Sequence, residues 1–153
     1  MTNSNSGFSS SSTRTAGVIV SIIVLSFAIA GMAQAQQINI DVTKPSNNNP
    51  YGGEKVGTFS ITPEGHVIHL LANMSAAPSS GKVYEGWLVD AGGSGYKLSI
   101  GEFSKNGTLQ FNQQMVNPYT YTQFIVTEEP FEDADPNAAD AIGGAQLQAP
   151  FER

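Results

Sequence analysis

The chain has 153 residues, 7 Lys and Arg against 13 Asp and Glu, a net charge of −6 and no cysteine. The length fits one domain, and an acidic chain with no Lys/Arg cluster lacks the positive footprint that phosphate backbones demand, which excludes nucleic acid as a partner. Without sulfur there are no disulfides, Cys-bound zinc, iron–sulfur clusters or thiol nucleophiles, and any imidazole chemistry falls to His66 and His69 alone.

Residues 1–15 are rich in Ser, Thr and Asn and carry one basic side chain, Arg14. From Ala16 to Ala33 the run AGVIVSIIVLSFAIAGMA is uncharged. A helix of about 18 residues, at about 1.5 Å each, just spans a hydrocarbon core of about 30 Å. Ala33-Gln34-Ala35 places small residues at −3 and −1, so residues 1–35 read as a signal peptide cleaved after Ala35. The alternative keeps 16–33 as a membrane anchor with Arg14 on the cytoplasmic side. Both place residues 36–153 outside the cytoplasm, secreted or membrane-held. Cleavage removes Arg14 and no acid, leaving 6 − 13 = −7 over 153 − 35 = 118 residues.

Beyond residue 35 the pattern is that of strands and turns. Ile38, Ile40 and Val42 alternate with polar residues and predict a strand over 37–42. The stretch 44–53, KPSNNNPYGG, reads as a loop. Strands over 56–61 and 66–74 are joined through Thr62-Pro63-Glu64-Gly65 as a hairpin. Residues 82–89 carry Val83, Trp87 and Val89 on one face and Tyr84 and Leu88 on the other, which predicts a central strand. After the glycine-rich stretch 90–95, strands over 96–103 and 108–116 flank Asn106-Gly107, and that dipeptide predicts that the two pair as a hairpin. Further strands are expected over 123–127 and 145–148. About seven or eight short strands with no helical period predict an all-β fold, a single antiparallel β-sandwich of the Ig-like, Greek-key type, with a barrel as the other closure.

Few residues suggest chemistry. His66 and His69, three apart on a strand, point to opposite faces and cannot share a metal ion. Asp133, Asp135 and Asn137, with Asp140 beyond, resemble the opening of a calcium loop and are weak calcium candidates. Ala138 and Gly144 stand where an EF-hand needs its glycine and its bidentate glutamate, so the acidic residues Glu128, Glu129, Glu132, Asp133, Asp135 and Asp140 read as one solvated loop. Its carboxylates lack the burial that general acid–base catalysis requires. The aromatics Tyr84, Trp87, Tyr96, Phe103, Phe111, Tyr119, Tyr121 and Phe124 read as core and rim, with a ligand groove as the alternative. Asn73-Met74-Ser75 and Asn106-Gly107-Thr108 have the form of N-glycosylation acceptors, the second explained by its turn. No catalytic residue and no cofactor is expected.

Three segments in order carry a family resemblance: Lys82-Val83-Tyr84-Glu85-Gly86-Trp87-Leu88-Val89; Gly101-Glu102-Phe103 followed by Asn106-Gly107; and Val126-Thr127-Glu128-Glu129-Pro130 followed by Asp135-Pro136. Across about residues 55–148 this order resembles the extracytoplasmic C-terminal domain of anti-sigma-K-type anti-sigma factors. The resemblance implies a β-sandwich held outside the membrane and no enzymatic activity. It also implies relatives that bind a sigma factor through a separate cytoplasmic domain and are controlled by intramembrane proteolysis. Tyr84, Trp87, Gly101, Phe103, Glu129, Pro130 and Pro136 are the motif positions, and a structural role is expected for them. Residues 1–14 hold neither the His nor the Cys pair of the zinc-bearing sigma-binding domain. The function expected is therefore protein binding or envelope sensing, with an unknown protein partner outside the membrane. The alternatives are a membrane-anchored regulator acting through 16–33, or a secreted binder of calcium or a small ligand.

Overall fold

Residues alternating between apolar and polar build strands wherever glycine, proline or asparagine does not interrupt them. In the computed structural model, which describes residues 37–132 and 135–147, they form β1 (Ile38–Ser46), β2 (Asn49–Glu64), β3 (Val67–Met74), β4 (Lys82–Val89), β5 (Lys97–Glu102), β6 (Thr108–Gln114), β7 (Gln123–Pro130) and β8 (Ala141–Gln146). A three-residue 3-10 turn, Pro118–Thr120, is the other regular element among the described residues. None of these residues forms a helix long and apolar enough to cross a membrane. The run 16–33 and the cleavage position Ala35 lie outside the described residues.

All eight strands join one antiparallel sheet in the order β5-β4-β7-β8-β1-β2-β3-β6. The two-layer sandwich of Greek-key type gives way here to a single sheet that coils into a nearly closed barrel. Register shifts supply the bending: three lie along β1–β2 from Val42 to Ser46, one in β4–β5 at Gly86/Trp87, and one in β7–β8 at Val126/Thr127. Each bulge adds twist, so a sheet with many of them curls instead of splitting into two flat layers.

Two local expectations are corrected. The stretch 44–53 is not a loop. It is the tip of the β1–β2 ribbon, with Pro45 opposite Gly52 and Ser46 opposite Asn49. Asn47 (φ 47°) and Asn48 (φ 69°) both take the left-handed conformation that a type I′ hairpin turn demands, and asparagine tolerates it better than other side chains. The Gly52 N–H donates to Thr43 Oγ1 at 2.7 Å across a bulge. The second correction concerns β5 and β6. They are joined by five residues around Asn106-Gly107, yet they do not pair: β5 pairs with β4 and β6 with β3, at opposite ends of the sheet. Gly107 does make a tight turn (φ 78°), with its N–H donating to the Ser104 carbonyl at 2.9 Å. Its own carbonyl, however, accepts from Met74 N–H at 2.8 Å, and Phe103 N–H donates to the Tyr84 carbonyl at 2.8 Å. Neighbouring strands thus capture both ends of the corner, which hands the chain from one edge of the sheet to the other. The hairpin expected over 62–65 does form, with Glu64 opposite Val67, and the last strand begins at Ala141 instead of Ala145.

The inner face of the barrel is apolar. Phe59 of β2 and Phe124 of β7 stack at its centre with ring centroids 4.4 Å apart, and Ile61, Ile68, Leu70, Leu88 and Val126 surround them. The seam between β5 and β6 is closed by side chains. Leu109 of β6 leans across to Gly86 of β4, where a built Cβ would come within 2.5 Å of Leu109 Cδ2, 3.2 Å of Ile100 Cγ1 and 3.3 Å of Phe124 Cε2. Gly101, opposite Gly86 in the β4–β5 ladder, has φ 111°, a conformation that only glycine adopts freely, and it too underlies Leu109. Filling the Gly86 position in this core is overpacking: Gly86→Ala is expected to destabilise the fold by about 1–3 kcal/mol in denaturant titration. Combining it with Leu109→Val is expected to lose less than the sum of the two single changes, because both act on one contact.

Candidate functional site: an acidic groove over Trp87

The period-2 alternation of β4 and β7 sends two sets of side chains to opposite sides. Tyr84 and Leu88 join the barrel core, while Trp87 and Val89 of β4 and Ile125 of β7 form a second, smaller cluster, against which Ala138 and Ala141 pack. The two apolar faces read in the sequence of β4 are thus present, and the strand lies between β5 and β7. The chain that connects β7 to β8 covers the outward cluster.

Two polar contacts hold this arrangement. Trp87 Nε1–H donates to Thr127 Oγ1 at 2.9 Å, a fully buried hydrogen bond that fixes the indole across the β4–β7 ladder. Glu129, 5% exposed, lies two residues further on the same face, and its Oε1 accepts from Ala139 N–H at 2.9 Å. A buried carboxylate needs such a partner. Here the bond ties the β7–β8 connection down beside Trp87. The sequence offered a faint signal for this role, a glutamate in period-2 step with Ile125 and Thr127 on the outward face of the strand.

Between this connection and β5 runs a groove of about 440 Å³. Trp87 and Leu98 line it, with Pro130 and Pro136 on one wall and Tyr96, 58% exposed, on the rim. Glu85, Glu102, Glu129 and Asp135 contribute carboxylates against the single cation of Lys97. The Ser99 hydroxyl donates to Glu85 Oε1, and Asp135 Oδ1 accepts from the Asn137 backbone N–H at 3.0 Å and from Asn137 Nδ2 at 2.7 Å. Tyr96 is presented by the loop 90–95, which winds around a carboxylate. Asp90 Oδ2 accepts from Ser94 N–H and from Ser94 Oγ, both at 2.9 Å, and Tyr96 N–H donates to Ser94 Oγ at 3.2 Å. Those Ser94 hydrogen bonds, backbone first, hold the Asp90 carboxyl below its ordinary range.

The motif positions divide between two places. Trp87, Glu129, Pro130 and Pro136 build the groove. Tyr84, Gly101 and Phe103 stabilise the barrel corner: the Tyr84 and Phe103 rings meet edge to face at 6.1 Å, and the Tyr84 hydroxyl donates to the Ala77 carbonyl at 3.1 Å. Burial pushes the Tyr84 hydroxyl up, and the Glu128 charge adds to it. Among the calcium candidates, Asp135 and Asn137 bond each other, Asp140 is exposed, and Asp133 lies outside the described residues. The described residues contain no group of three or more His, Asp or Glu placed to hold a metal ion. His66 sits in the β2–β3 turn and not on a strand. His69 lies on the outer face of β3, with Nδ1 2.9 Å from Asn112 Oδ1 and Nε2 3.6 Å from Glu64. The gathering of Glu85, Tyr96, Lys97, Ser99 and Glu102 around Trp87 was not read from the sequence, because it depends on which strand β5 pairs with.

Comparison with protein families gives a match over residues 15–141 to the family described as anti-sigma-K factor rskA, C-terminal. The chain belongs to this family. The match begins before Ala16, so it takes in the apolar run as well as β1 to β7. No curated protein and no solved structure matches the chain. In this anti-sigma-K domain the outward cluster gives two measurable consequences. Glu129→Ala leaves Ala139 N–H without its acceptor and is expected to cost about 1.5–3 kcal/mol, with a red shift in the fluorescence of Trp87, the sole tryptophan. Asp90→Asn probes the loop beneath Tyr96. Because the folded pKa is lowered, the stabilisation is full above the ordinary value of 3.8 and disappears as pH falls through the folded value. The melting-temperature gap between wild type and Asp90→Asn is therefore expected at neutral pH and to close in acid.

Proposed function

We propose that the chain is a non-enzymatic regulatory domain that works outside the cytoplasm and recognises a protein partner through the groove over Trp87. The observation that carries this reading is the family match across residues 15–141. The groove supports it in kind, since a mixed surface of aromatic, proline and carboxylate side chains on rigid strands suits an extended polypeptide better than a small molecule sealed from water. The family match also extends through residues 16–33, which supports a membrane anchor over a discarded leader. As an anchored regulator, the domain acts on its partner from the membrane surface.

Two measurements in the native host test this together. Intact mass of the membrane fraction is expected to give a terminus at Met1 or Thr2, whereas a soluble species beginning at Gln36 would restore the secreted reading. A photo-crosslinking residue at Tyr96 is expected to trap a protein adduct that Glu85→Lys/Glu102→Lys suppresses. The same residue at Thr58, on the exposed face of β2, is expected to trap none. Equal trapping at both positions would contradict recognition through the groove.

A further inference from the structure

We infer that β6 is a self-association edge, and that two copies of this domain join by antiparallel β6–β6 pairing about a two-fold axis at Asn112. Among the described strands β6 pairs with β3 alone, in continuous register from Val67↔Gln114 to Asn73↔Thr108. In an antiparallel ladder the N–H and C=O of one residue point to the same side, and successive residues alternate. Met115 N–H donates to the His66 carbonyl and Met74 N–H to the Gly107 carbonyl, both at 2.8 Å, so odd-numbered residues from 107 to 115 face β3. The main-chain groups of Gln110, Asn112 and Gln114 therefore face away from the sheet. At Thr108 the corner satisfies them: its carbonyl accepts from Ser104 N–H at 2.8 Å and its N–H donates to Ser104 Oγ at 3.2 Å. Among the described residues, none hydrogen-bonds the outward main chain of Gln110, Asn112 or Gln114, and a cleft of about 780 Å³ lies beside the corner.

Edge strands are ordinarily blunted by charge, proline, a bulge or brevity. The other edge of this sheet, β5, follows that rule with Lys97, Glu102, the glycine at 101 and the register shift opposite Gly86. β6, with sequence TLQFNQQ, has no charge, no proline and no shift.

A second copy is the occupant that fits. The molecule carries net negative charge, so two copies repel over most of their surface. Along β6 there is no carboxylate to oppose. Pairing about Asn112 sets it against its own counterpart and sets Gln110 against Gln114 of the second copy, each pair exchanging both main-chain bonds. Such an interface is self-complementary by symmetry and continues the sheet from one molecule into the next.

The chain has no cysteine, so a single introduced thiol reads the register directly. Paired residues in an antiparallel ladder have Cα atoms about 4.5–5.5 Å apart, within the disulfide range of about 4.4–6.8 Å. Full-length Asn112→Cys under mild oxidation is expected to give a covalent dimer about tenfold or more faster than full-length Gln114→Cys, whose mate across the axis is residue 110 and not itself. Adding Gln110→Pro to Asn112→Cys removes an outward N–H while sparing the β3 ladder, and is expected to abolish the dimer with the circular dichroism spectrum unchanged. Equal crosslinking of Asn112→Cys and Gln114→Cys, no crosslinking of either, or a dimer that survives Gln110→Pro would each overturn the inference.

Discussion

The contact of Leu109 with the glycine pair Gly86 and Gly101 is the constraint on which the structure depends. A sheet whose first and last strands are joined by five residues must either pair them or close around them, and this chain closes around them. Gly86 removes the side chain that would otherwise hold β4 away from β6, Gly101 takes a conformation that lets β5 turn into the corner, and Leu109 fills the space. With the seam sealed from within, β5 remains on β4. That pairing places Tyr96, Lys97 and Ser99 beside Trp87, and without it there is no groove.

Trp87 faces outward from this barrel and is nonetheless 3% exposed. A large aromatic on the outer face of a sheet needs a cover, and the connection between β7 and β8 supplies it, held by the hydrogen bond from Ala139 to Glu129. A wall tied by one buried carboxylate is easier to displace than a strand in a ladder. A partner that competes for Glu129 or inserts beside Pro130 and Pro136 therefore has a defined place to act. The same strands that bury Phe124 on one side thus present a surface of different chemistry on the other.

Much of this was legible in the sequence where a single strand sufficed to show it. The alternation in β4 revealed two apolar faces, and Thr62–Gly65 revealed a hairpin, because both signals are local. The all-β class and the family followed from such segments. What escaped was set by competition between distant strands. Asn106-Gly107 encodes a turn but not the partners of the strands it joins, and Met74 and Tyr84 decide those through main-chain bonds made far along the chain. The ribbon at 44–53 was hidden for a different reason: proline, glycine and asparagine are the residues of loops, yet here Asn47 and Asn48 form the tight turn of a bulged hairpin. The acidic residues 128–140 read as one solvated run. They prove unequal, with Glu129 buried as a tether and Asp135 turned onto Asn137.

Closure by side chains in place of a β5–β6 ladder is most directly tested by nuclear Overhauser spectroscopy of the protein with labelled methyl groups. The expected result is a strong cross-peak between the Leu109 methyls and the Gly86 α-protons, with no ladder of α-proton contacts between residues 97–102 and 108–114. A regular series of cross-strand α-proton contacts between those two segments, with Leu109 remote from Gly86, would show a hairpin and contradict the closure described.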